Sequence, residues 1–278
     1  MGIITVSREV GSLGDEIAAG VAQKLGYKLA DREYIHTLVK ECDLEFSQAC
    51  SAFESEVKPG RLLERMFFSN PAYHARFASL NFELAAQDNV VIVGRGAQVP
   101  LSAVPGVLRC RVVAPLELRV QRVMQRAQMQ RSEAQDYVER YGRERRALME
   151  AVYGKDQPDI YGFQNFDLII NTAQFNAAEA VNLVAAAARE LDQRSDPVAR
   201  QETLQRLAFA KRVESLIKKH VNAVPPKDIT VEATGPGKVR LVGLVSGKRN
   251  KDHAAEIARR DPEVREVDNQ LGTASLSF

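Results

Sequence analysis

The chain has 278 residues, of which 45% are hydrophobic and 27% charged, and a formal net charge of +2. That balance suits a globular protein with room for one large and one small domain, and it gives no global electrostatic reason to expect a nucleic-acid partner. No apolar run approaches the ~20 residues that span a bilayer, and no basic segment precedes an apolar one at the start, so neither a membrane anchor nor a leader is expected.

Ile3-Ile4-Thr5-Val6 is a β-branched apolar run that predicts a buried strand. The turn Ser7 to Gly14 follows, and Asp15 to Leu25 then runs at helical spacing, with Ala18, Val21, Ala22 and Leu25 on one face and Gly26 as its C-cap. A strand entering a glycine turn and then a helix brings backbone N–H groups and a helix N-terminus together, which suits a phosphate. Tyr27 to Ala30 predicts a short strand ending at Asp31-Arg32-Glu33. From Tyr34 to Gln87 the pattern is helical, broken at Pro59-Gly60 and Asn70-Pro71. Val90 to Val93 is the next buried strand, closed by Gly94-Arg95-Gly96. Val107 to Val113 is another, followed by an arginine-rich helix from Leu116 to about Met129 and a further helix from Ser132 to Val152. A strand at Phe166 to Asn171 and an alanine-rich helix from Ala177 to Leu191 complete the series. Short apolar strands alternating with helices predict an α/β fold, a parallel sheet with helices on both faces.

Residues 193–201 are polar and contain Pro197, and read as a linker. Beyond them the pattern changes to αββαβ: a helix from about Glu202 to Val221, and Ile229, Val231 and Ala233 alternating. After Gly235-Pro236-Gly237 come Val239, Leu241, Gly243 and Val245, alternating again. A helix from Lys251 to Arg260 and a last strand within Val264 to Leu271 follow. The division expected is 1–192, a linker at 193–201, and a small α+β domain at 202–278. Cys42, Cys50 and Cys110 form no C-x-x-C pair and read as reduced thiols of a cytoplasmic protein. His36, His74, His220 and His253 fall in no metal-ligand spacing, and no metal site is expected.

With these elements placed, the first domain resembles the cytidylate kinase-like family, P-loop relatives of the nucleoside monophosphate kinases. The likeness runs through Ile4-Thr5-Val6-Ser7-Arg8, Gly11-Ser12-x-Gly14, Asp31-Arg32-Glu33, Val91-Ile92-Val93-Gly94-Arg95, Ala114-Pro115-Leu116-Glu117, Tyr153-Gly154-Lys155-Asp156 and Phe166 to Thr172. The last ~75 residues are similar to a BON domain by pattern, by the position of Gly243 and by the ending Val264-x-x-Val267-x-Asn269. The first resemblance implies transfer of a phosphoryl group from ATP with Mg²⁺ to a nucleotide such as CMP, chemistry that rests on positioning and charge neutralisation. It implies that Arg8, Gly11, Ser12, Leu13, Gly14, Asp15 and Glu16 hold the ATP phosphates. Asp31 and Arg95 would bind the acceptor, and Arg140, Arg143 and Arg145 would close over the transferring group as catalytic residues. The second resemblance implies an anionic lipid or a protein partner for residues 202–278.

The residues depart from that pattern in instructive places. Where a phosphate loop carries lysine and a hydroxyl, Asp15 and Glu16 follow Gly14; they favour the helix dipole but repel phosphates. Leu13 stands at a usual glycine, which narrows backbone approach. Gly96 stands where the monophosphate kinases have an aspartate, removing one route to Mg²⁺. Arg8 compensates the lost charge if it turns into the loop. Each signal has a structural counterpart: a tight turn for the loop, a helix cap for Asp31, an ion pair for Arg95. For much of the run of eight arginines from Arg119 to Arg146, interleaved with Glu and Asp, that counterpart is a solvated helix face. Two readings of the chain therefore stand together: an ATP-dependent nucleoside monophosphate kinase, and a catalytically decayed sensor or adaptor whose small domain binds the partner.

Overall fold

The computed structural model describes residues 2–39, 70–153, 159–224 and 228–274. The expected helical pieces between 40 and 69, with Cys42, Cys50 and the Pro59-Gly60 break, lie outside them, as do Lys155, Asp156 and Lys227. In chain order the elements begin with β1 (Ile3–Arg8), α1 (Gly14–Leu25), β2 (Lys28–Ala30), α2 (Arg32–Val39) and α3 (Pro71–Ala85). Next come β3 (Val90–Val93), β4 (Val107–Val113), α4 (Leu116–Ala127), α5 (Arg131–Tyr153), β5 (Leu168–Asn171), α6 (Ala177–Gln193) and α7 (Pro197–Lys218). The series closes with β6 (Thr230–Gly235), β7 (Lys238–Val242), β8 (Leu244–Ser246), α8 (Gly247–Ala258), β9 (Glu266–Asn269) and β10 (Gly272–Ala274).

The chain divides into two compact units, one of residues 1–66 with 87–200 and one of residues 67–86 with 201–278. In the first, five parallel strands run in the order β2-β3-β1-β4-β5. Ile4 and Val6 of β1, Val91 and Val93 of β3, and Val112 of β4 pack with Ile17 and Val21 of α1 and Val184 of α6. This central burial explains why β1 and β3 are continuous apolar runs rather than alternating ones. All strands point the same way, so β1, β3 and β4 end at one edge of the sheet, where the connecting turns gather. The hairpin α4–α5 has a small core of its own, Val120, Val123, Ala134 and Val138, onto which Val10 of the first turn packs.

The second unit contains α3, which the sequence reading placed in the domain 1–192. Ser215 Oγ donates to the Ala72 carbonyl at 2.9 Å, Ser79 Oγ to the Ala208 carbonyl at 3.2 Å and Gln201 Nε2 to the Ala86 carbonyl at 2.9 Å, which ties α3 to α7. The expected linker 193–201 is helical from Pro197 onward, because Asp196 caps α7 by accepting from the N–H groups of Val198 and Ala199. Strands β6 and β7 pair antiparallel and β7 and β9 parallel. The alternating stretch Val239 to Val245, expected as one strand, is split at Gly243 (φ +140°) into β7 and β8, and β8 pairs with β10 instead. The second helix starts at Gly247, earlier than the expected Lys251. Among the described residues no helix is long and apolar enough to cross a membrane.

Two ion pairs, one on the buried Asp261 and one on the partly exposed Asp167, make stability acid-sensitive. Arg212 grips Asp261 through Nε (2.7 Å) and Nη2 (3.1 Å), and Arg109 grips Asp167 through Nη2 (2.7 Å) and Nε (3.1 Å). Burial alone would raise both carboxyl pKa values. The hydrogen bonds from each arginine, and from a backbone N–H, outweigh burial and hold both below the usual carboxylate range. A depressed folded pKa gives stability that is complete above the unfolded value of 3.8 and is lost as pH falls through the folded value. Asp261→Asn is therefore expected to lower the melting temperature at neutral pH, with the difference from the parent shrinking below pH 3.8. A difference that stays constant across an acid titration would contradict this origin.

Candidate functional site

The turn between β1 and α1 is shaped by its neighbours. Arg122 Nη1 donates to the Gly11 carbonyl at 3.2 Å and to Thr172 Oγ1 at 2.8 Å, while Thr172 Oγ1 donates to the Ser12 carbonyl at 3.0 Å. These bonds turn two loop carbonyls toward α4 and the end of β5. Gly11 (φ +77°) sits against the start of α4: a Cβ there would lie 2.7 Å from the Arg119 carbonyl oxygen. Leu13 takes φ +66° as the N-cap of α1, so the site demands a glycine-like backbone even though leucine occupies it. Leu13 anchors its side chain on the central core. Ser12 is fully buried, and its Oγ meets no hydrogen-bond partner among the described residues.

Arg8, the last residue of β1, crosses this turn. A Cβ at Gly14 would collide with Arg8 Cβ, and one at Gly94 (φ +79°) would collide with Arg8 Nη1. The two glycines thus clear the path of the side chain. Its Nε donates to Asp15 Oδ1 at 2.8 Å. Arg145 Nη2 approaches the same place, 3.4 Å from where a Gly94 Cβ would be.

Beside the turn opens a cavity of about 340 Å³ lined by Arg8, Arg111, Arg119, Arg143, Arg145 and Arg146. Glu9 and Glu139 are its acidic residues, and Tyr141 and Tyr161 supply aromatic wall. Arg111, projecting from β4, donates to Ser7 Oγ (3.2 Å) and Glu9 Oε1 (3.4 Å) and lies 4.6 Å over the Tyr161 ring. Arg146 lies over that ring at 4.9 Å, and Arg119 reaches Glu9 Oε2 at 3.4 Å. Burial lowers the Arg111 pKa, with the charge of Glu9 opposing it; a guanidinium stays protonated regardless. Burial also raises the Tyr161 hydroxyl pKa, against the pull of Arg145, Arg111 and Arg146. Six guanidiniums against two carboxylates make this a cavity for a multiply charged anion.

Of the residues expected to act on phosphates, the structure brings Arg8, Arg143 and Arg145 together at this cavity. Arg140 is exposed and does not line it. Asp31 caps α2, accepting from the Tyr34 N–H at 3.0 Å, which is its structural reading. Arg95 does not reach the cavity. Gly94, Arg95 and Gly96 all have positive φ, and this left-handed turn folds the Arg95 side chain inward to 2% exposure while its carbonyl accepts from Tyr153 Oη. Arg111, Arg119, Arg146, Tyr161 and Glu9 were not selected from the sequence. One signal pointed to Arg111: an arginine within the buried strand Val107–Val113 needs an anionic partner.

ATP fits this donor set on its phosphate side, where the six arginines of the cavity offer donors. Among the described residues no three metal-ligating side chains cluster. A Mg²⁺ ion arriving with the phosphates would take one or two carboxylates and otherwise phosphate oxygens and water; of the two acids in the first turn of α1, Asp15 is bonded to Arg8 and Glu16 is the other.

Comparison with known proteins gives a family on each side of the chain: the cytidylate kinase-like family matches residues 3–174 and the BON domain residues 208–274. A stretch of 104 residues is 32% identical to the uronate isomerase of Corynebacterium glutamicum, covering 36% of this chain and 19% of that protein, so the chain spans about a fifth of that relative. Among solved structures, an uncharacterized protein from Eubacterium ventriosum is similar with a TM-score of 0.50 at 18% identity, over 69% of this chain and 99% of the other. A shikimate kinase from Acinetobacter baumannii in complex with shikimate aligns with a TM-score of 0.41 at 14% identity, over 70% of this chain and 96% of that one.

Proposed function

The chain belongs to the cytidylate kinase-like family, and from that membership we propose that its first unit binds the phosphates of ATP and transfers one to a nucleoside monophosphate such as CMP. The observation that carries this reading is the arginine cavity at the ends of β1 and β4, beside the glycine turn. Phosphoryl transfer asks a protein to position two anions and neutralise the charge between them. Arg143 and Arg145 of α5 line this cavity together with Arg8 and Arg111 of the sheet, so anions held there meet guanidiniums from both elements. The α4–α5 hairpin that carries Arg119, Arg143, Arg145 and Arg146 is the element suited to exclude water.

Calorimetry on the full chain with ATP and with CMP, each in Mg²⁺, tests it. The expected result is micromolar binding of ATP and ADP formation that depends on CMP. The absence of binding by either at millimolar concentration would end the nucleotide reading. A second reading, binding without transfer, is favoured by Asp15 and Glu16 standing where a phosphate loop has lysine and a hydroxyl. It predicts ATP binding with no consumption under any monophosphate. For the second unit we propose an anionic partner, lipid or protein, because the first turn of α8 carries exposed Lys248 and Arg249 and no acid.

A further inference from the structure

We infer that Arg8 supplies the cation this phosphate loop lacks as a lysine, and that Asp15 is the counter-ion a polyphosphate displaces from it. The inference rests on the nucleotide reading above and names the residue that determines phosphate affinity within it.

Three observations converge on Arg8. First, its path is cut through the turn: Gly14 and Gly94 come from different elements, and a Cβ on either would strike its side chain. Second, the guanidinium lies where β1 and β3 end and α1 begins, with Arg145 Nη2 brought to the same glycine. The first-turn N–H groups of a helix have no partner within it and favour an anion near its N-terminus, where Asp15, the partner of Arg8, stands. The buried Ser12 hydroxyl, which meets no hydrogen-bond partner among the described residues, lies 3.4 Å from the Gly14 Cβ position. Third, the tie that holds Arg8 without ligand is weak. Asp15 is 67% exposed and bonds through one oxygen to Nε at 2.8 Å. An exposed pair of this kind is easily exchanged for a phosphate.

Asp15 then has a double effect. As an acid in the first turn it favours the helix, and as a neighbour of the phosphate position it competes for Arg8 and repels the incoming charge.

The experiment is MgATP calorimetry on the full chain as parent, Arg8→Met, Arg8→Lys and Asp15→Asn, with thermal melts of each. Loss of a charge-assisted bond to phosphate is expected to weaken binding by Arg8→Met about ten- to hundredfold. Arg8→Lys is expected to restore most of it, and Asp15→Asn to tighten binding about two- to fivefold. A folded Arg8→Met protein that binds like the parent overturns the inference while leaving the nucleotide reading intact. If Arg8→Met does not fold, Asp15→Asn decides, since binding no tighter than the parent overturns the competition. Failure of every protein, Asp15→Asn included, to bind MgATP overturns both this inference and the nucleotide reading on which it rests.

Discussion

Replacing Gly11 by alanine is expected to cost the first unit about 2–4 kcal/mol of stability and to abolish nucleotide binding together with it. The backbone at Gly11 has φ +77°, which an L side chain tolerates poorly. The larger part of the effect is collision. The new Cβ would stand 2.7 Å from the Arg119 carbonyl oxygen and 3.0 Å from Arg119 Cα. Those atoms belong to the first turn of α4, where the Arg119 N–H is bonded to the Pro115 carbonyl at 3.1 Å, so they cannot withdraw. The loop must move instead. Moving it breaks the Arg122 bond to the Gly11 carbonyl, pulls Val10 from the α4–α5 core and shifts Glu9 between Arg111 and Arg119. A thermal melt paired with MgATP calorimetry reads both consequences. An alanine variant that melts and binds like the parent would mean that the turn is not held against α4 as described.

Gly243→Ala is expected to unfold the second unit selectively, at a cost of about 3 kcal/mol or more. Here φ is +140°, and the added Cβ would collide with the Asp228 carbonyl oxygen and lie 3.0 Å from Ile229 Cα. Ile229 is fully buried in the core that includes Val231, Leu241 and Ile257. Asp228 is held from its other side, where its carboxylate accepts from Lys218 Nζ at 2.9 Å. Neither neighbour can yield without opening β6 from β7. Limited proteolysis should then cut within residues 201–274 at temperatures where the parent resists, while MgATP binding by the first unit persists. Resistance equal to the parent would show that the split at Gly243 tolerates a side chain.

The parts of the fold that local chemistry dictates were legible in advance. β1 and β3 are uninterrupted β-branched runs, α1 has an apolar face and a glycine cap, and the glycine turn between β1 and α1 follows from both. Arg8 was expected from its place beside that turn, and Arg140, Arg143 and Arg145 from the family resemblance; the structure gathers Arg8, Arg143 and Arg145 at one cavity and leaves Arg140 outside it. One strand assignment failed for a physical reason. The alternation Val239, Leu241, Gly243, Val245 keeps its parity straight through the break, because the period of two records which side chains face the core and not which strand supplies the hydrogen bonds. Asp31 carried a cap and a ligand reading that spacing alone does not separate; the bond to the Tyr34 N–H realises the cap.

By itself, then, the sequence determined the order of strands and helices, the parallel character of the first sheet and the glycine turn with its missing lysine, since each depends on residues adjacent in the chain. Only the tertiary structure decided what surrounds that turn. Arg111 from β4, Arg119 from α4, Arg146 from α5 and Tyr161 lie up to 50 residues apart in the chain, and no local pattern encodes their convergence. It arises because parallel strands end at one edge and the α4–α5 hairpin packs its core onto Val10. The same holds for Arg95, which the chain order places at a ligand edge. Three successive left-handed residues, two of them glycines that take positive φ without a Cβ penalty, turn its side chain inward.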